Sequence, residues 1–81
     1  MLFRQQISAA RGLLGWSKSD LAARAGVSER TVARFESGEG DITVGRLERL
    51  ELCLVSEGVE FVDGGVVLDR LRRAHRVARG I

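Results

Sequence analysis

Apolar residues recur at helical intervals as far as Ser56, then change to short β-branched runs after Gly58. Phe3, Ile7, Ala10 and Leu14 share one helical face, which predicts a first helix from about Phe3 to Leu14, ended by Gly15. Ser17 is a candidate N-cap, and Asp20 three residues on completes a capping-box-like pair. Leu21, Ala22 and Ala25 then make the stripe of a second helix, Lys18 to Ala25. Gly26 can take the positive φ of a turn directly after a helix. Ser28 is a second N-cap, and Val32 and Phe35 are the inward face of a third helix, Glu29 to Ser37, closed by Gly38. After a link over residues 39–42, Thr43 caps a fourth helix running to about Ser56. Its inward stripe is expected to be Val44, Leu47, Leu50 and Leu54. Leu52, Cys53 and Val55 widen its apolar arc beyond the needs of one small core, so a second face must pack on the C-terminal segment or another subunit.

Residues 59–68, V-E-F-V-D-G-G-V-V-L, are two β-branched runs around Asp63-Gly64-Gly65, a hairpin pattern. A lone two-stranded hairpin is marginal in water. It must lie on the helical domain, or its edge must pair with a second copy, and pairing is the slightly favoured reading. The tail 69–81 places Leu71, Ala74 and Ala78 on one side of a basic amphipathic helix, or stays unfolded until it meets DNA. The expected architecture is all-α, of four to five helices with a small C-terminal β-hairpin. Its parts are residues 1–57 as the helical domain, 58–68 as a possible dimerisation hairpin, and 69–81 as the basic tail.

Eighty-one residues allow one small domain, and 44% hydrophobic with 30% charged residues is ordinary for a globular one. No apolar run approaches the roughly 18 residues of a membrane span, and the start lacks a signal-peptide core, which predicts a cytoplasmic location. The single cysteine, Cys53, reads as a small core residue, and the single histidine, His75, has no partner for a metal. No carboxylate pair in an identifiable pocket and no glycine-rich phosphate loop after a strand is present, so neither an enzyme, a cofactor nor a metal is expected. Net charge is only +2, but it is unevenly spread. Residues 1–35 carry six basic and two acidic side chains, residues 36–69 two basic and nine acidic, and residues 70–81 five arginines and no acid. That division suggests one face for an anionic polymer and another turned away from it.

Two short helices joined at Gly26, with small Ala22 allowing a close crossing, form a helix-turn-helix pattern. A helix fits the major groove of B-DNA and meets base edges with its N-terminal residues. On the third helix Arg30 and Arg34 are one turn apart and share a face. Each can bridge O6 and N7 of a guanine, and Glu29 can accept from a cytosine amino group. Ser17 and Lys18 begin the second helix, where free backbone N–H groups favour a phosphate. Ser28 and Thr31 add hydroxyls for the backbone, and Thr31 can also touch a thymine methyl.

The run Leu21-Ala22, Ala25-Gly26-Val27-Ser28, Thr31-Val32, Phe35-Glu36 and Gly38 resembles the phage repressor, Cro and XRE-type family of DNA-binding domains, over about Ile7 to Leu54. The resemblance implies base contacts at Glu29, Arg30 and Arg34. It also implies a partly buried ion pair between Arg11 and Glu36. Two departures stand out: Lys18 replaces a common glutamine, and Glu36, Glu39 and Asp41 stand at and after the end of the third helix, where relatives carry basic residues. That loop should contribute little to DNA binding or repel DNA. The resemblance implies a homodimeric transcriptional repressor on a palindromic double-stranded operator, nucleoid-associated when bound. The alternative is a protein-binding helix-turn-helix module of antitoxin or anti-activator type, with the hairpin edge as docking strand.

Overall fold

The structure, a computed structural model, describes residues 4–69. Within them the order is α1 (Arg4–Leu14), α2 (Lys18–Ala25), α3 (Glu29–Ser37), α4 (Val44–Ser56), β1 (Val59–Val62) and β2 (Gly65–Leu68). Phe3, His75 and the fifth helix expected in the tail lie outside the described residues.

Each helix boundary has a local cause. Ser17 accepts the Asp20 N–H on its side chain while Asp20 accepts the Ser17 N–H at 2.9 Å, a complete capping box. Ser28 and Thr43 cap α3 and α4 in the same way, accepting from the N–H groups of Thr31 and Arg46. Gly26 and Gly38 end α2 and α3 at φ values of 72° and 77°, a left-handed conformation that costs other residues free energy. At Gly38 a Cβ would also meet the Arg4 guanidinium at 3.3 Å, so Arg4 lies across the C-terminal end of α3. A cation there suits the negative end of the helix dipole.

Ile7, Leu21, Val32, Leu50, Leu54 and Val59 are fully buried and come from five of the six elements. Ala10 and Ala22 sit in the same core, small enough for the helices to cross closely. Trp16, which the apolar spacing did not single out, closes the core beside α2, and the Arg24 guanidinium lies 4.5 Å from its ring centroid. Val44 departs from expectation. It is 74% exposed, while Leu50 and Leu54 are fully buried and Leu47 half-buried. At about 100° per residue, Val44 falls roughly a quarter-turn away from the direction of Leu50 and Leu54, so the core lies beside it rather than under it. On the same helix Leu52 is 67% exposed, whereas Cys53 packs against the core.

The hairpin lies on the helical domain. Its strands are antiparallel, with Val59 opposite Leu68 and Phe61 opposite Val66. These four face the core, and Glu60, Val62 and Val67 face outward, as the period of two requires. What holds the turn in place is Gln6, a buried polar residue of α1. Its amide donates to the carbonyls of Val62 at 2.8 Å and Gly65 at 3.0 Å. A glutamine within a helix carries no sequence sign of a contact 56 residues away. The docking therefore appears only in three dimensions.

Candidate nucleic-acid interface

The α2–turn–α3 unit is held from three sides. Val27 N–H donates to the Ala22 carbonyl at 3.1 Å, tightening the turn after Gly26. The Arg49 side chain on α4 reaches the Gly26 carbonyl at 3.4 Å. Arg11 on α1 grips the far end of α3: its Nε and Nη2 donate to the two Glu36 carboxylate oxygens at 2.8 and 2.7 Å. The side chains are only 16% and 6% exposed, and Arg11 Nη1 also donates to the Trp16 carbonyl at 2.9 Å. The bidentate fork holds the guanidinium more firmly in its charged form, mainly through the hydrogen bonds to Glu36. Glu36 is thus consumed by Arg11 and is removed from the acids that face outward after α3.

On the outer surface of α3, Glu29, Arg30 and Arg34 are exposed, while Val32 is buried and Phe35 packs on the core. Arg30 and Arg34 line one open cleft with Ser28, Thr31, Asp41 and Arg46, a space of about 190 Å³. Arg46 was not anticipated. It occupies the first turn of α4, and only the crossing of α4 against this unit brings its side chain to α3. A cation in the first turn after an N-cap is unusual for the dipole, and that is the one sequence sign that could have drawn notice to it. Asp41 lies among three arginines, so its charge is offset locally instead of facing DNA alone. Arg34 rests against the loop: Nη2 donates to the Glu39 carbonyl at a long 3.5 Å, and its guanidinium lies close over Gly40. A contact so long is weak, and the side chain can leave it for a better acceptor.

The hydroxyls are partly committed. Ser28 Oγ accepts the Thr31 N–H at 3.1 Å and lies 2.8 Å from Thr31 Oγ1. One of the two hydroxyls donates to the other, which leaves one O–H for an outside acceptor. Ser17 is similarly engaged with Asp20, its Oγ accepting the Asp20 N–H at 3.0 Å, and Lys18 is exposed beside it. The Ser17 backbone N–H, and secondly its hydroxyl, hold the Asp20 carboxyl below its usual pKa. The sign follows directly. With the folded value lowered, the capping box adds stability above the unfolded carboxyl value near 4 and loses it as pH falls through the lowered folded value. Thermal melts at descending pH should therefore fall less steeply in Asp20→Ala than in the parent chain; parallel profiles would mean that the box is not formed in solution.

Paired short helices, the second presenting arginines and hydroxyls outward, are the framework of a DNA-binding regulator. Residues 7–54, over half of the chain, match the family described as helix-turn-helix, and the protein belongs to that family, in its XRE and Cro-repressor type. No curated protein matches the chain in sequence. Among the described residues, no helix is long and apolar enough to cross a membrane.

Proposed function

We propose that the protein is a sequence-specific transcriptional regulator, acting as a dimeric repressor whose helix α3 enters the major groove. The observation that carries this reading is the convergence of Arg30, Arg34 and Arg46 on one open cleft at the exposed side of α3. Arg30 and Arg34 read guanine edges, and Glu29 selects against bases that offer it no donor. Arg46, Lys18 and the hydroxyls of Ser17, Ser28 and Thr31 hold the flanking phosphates, which set register without reading sequence. One such helix reads few base pairs. Two copies on a palindrome, with half-sites about 10 bp or a multiple apart, supply the remaining specificity. The uncharged β2 edge, with Val67 exposed beside it, is where a second copy would add strands.

Fluorescence anisotropy tests this with duplex DNA from upstream of the protein's own gene against a scrambled duplex, at about 150 mM salt, where non-specific binding is micromolar or weaker. Nanomolar binding to the upstream duplex alone is expected. If that duplex binds no better than the scrambled one, a genome-wide pull-down that recovers no discrete sites would overturn the proposal in favour of a protein-binding role.

A further inference from the structure

A second concave surface lies away from the arginine cleft, between α4 and β1. It is a groove of about 440 Å³ with Val44, Phe61 and Val62 among its apolar walls and Glu48, Glu51 and Asp63 on it. None of these three carboxylates makes an ion pair with a described residue. The arginines of α4 are directed elsewhere, Arg46 into the cleft at α3 and Arg49 to the Gly26 carbonyl. Exposed apolar surface continues beside the groove at Leu52. An apolar groove with acidic walls fits an amphipathic segment whose polar side is cationic.

We propose that residues 70–81 of the same chain occupy this groove, with Leu71, Ala74 and Ala78 on its apolar walls and the arginines on Glu48, Glu51 and Asp63. Three observations point to that occupant. Residues 70–81 carry five arginines and no acid, opposite in sign to the groove. The segment begins at the right place: Asp69 N–H donates to the Gly58 carbonyl at 2.7 Å, beside the link between α4 and β1. From that link β1 runs back along α4, so the groove leads away from the start of the tail. The length suffices, since twelve residues wound as a helix span about 18 Å and α4 lines the groove only from Val44 to Glu51, about 12 Å. Two copies of the bare groove face are a poorer fit, because a two-fold contact there would bring Glu48 and Glu51 against their own kind with no cation between them.

The test is NMR on the full chain. Nuclear Overhauser contacts are expected from the methyls of Leu71, Ala74 and Ala78 to Val44, Phe61 and Val62. They should weaken at about 1 M salt, where the Debye length is near 3 Å. In Glu48→Lys/Glu51→Lys the same contacts should be lost while the Ile7 and Leu54 methyl shifts stay in place. Absence of these contacts in the parent chain overturns the proposal, whatever the variant does. Isotope-filtered spectra of mixed labelled and unlabelled chains decide whose tail it is: contacts seen between chains would overturn the same-chain assignment.

Discussion

Arg30→Ala and Arg34→Ala are each expected to weaken operator binding by about 5- to 150-fold, equivalent to about 1–3 kcal/mol, with the fold unchanged. Both side chains are exposed, so truncating them leaves no cavity and no buried partner unsatisfied. Of the two, Arg30 starts without a competing intramolecular contact among the described residues, whereas Arg34 must leave the Glu39 carbonyl. Specificity separates base reading from simple charge attraction. If the arginines read bases, affinity for a scrambled duplex falls less than affinity for the operator, and discrimination narrows. A variant of Arg46 should behave differently, losing affinity for both duplexes alike and flattening the salt dependence by about one phosphate contact. Anisotropy titrations at several salt concentrations measure all of this. Unchanged operator affinity in both Arg30→Ala and Arg34→Ala would remove α3 as the reading helix.

Glu36→Ala is expected to be among the most damaging substitutions for the fold, at about 3–5 kcal/mol. It leaves Arg11, whose side chain is only 16% exposed, without its counter-charge while it is still tied to the Trp16 carbonyl. Small domains have about 0.05–0.15 kcal/mol of stability per residue, so a chain of 81 residues holds about 4–12 kcal/mol and a loss of this size takes a large share of it. Urea denaturation reads the change, as a lower midpoint with an unchanged slope. The paired replacement Arg11→Met/Glu36→Leu removes both charges and should recover much of the loss, since the penalty comes from the orphaned partner. A loss below about 1 kcal/mol in Glu36→Ala would mean a solvated pair of the ordinary surface kind.

The two predictions concern opposite surfaces of the same helix, and that shapes how the domain works. The inner side of α3 is fixed by Val32 in the core and by Glu36 in the fork of Arg11. Such over-determined placement lets the outer side present Arg30 and Arg34 at a defined angle to the neighbouring helices. Glu36→Ala should therefore lower DNA affinity too, but only as far as it unfolds the domain, and operator DNA in excess should restore part of the stability.

Much of this protein was legible in the order of its residues. Caps at Ser17, Ser28 and Thr43 and glycines at 26 and 38 set the helix boundaries, because capping and left-handed turns depend on residues within four positions. The hairpin was legible from two β-branched runs around Asp63-Gly64-Gly65, and the shared face of the α3 arginines from their one-turn spacing. Contacts between elements were another matter. Gln6 under the hairpin turn, Trp16 beneath Arg24, Arg46 beside α3 and the outward position of Val44 all depend on how elements cross. Periodicity states which side of a helix is apolar to within about a quarter-turn, and crossing angles decide the rest. The sequence by itself thus determined the elements and which charged side chains share the outer face of α3. Only the tertiary structure decided which distant side chains join it, because those contacts are made by packing between segments that carry no local signal of one another.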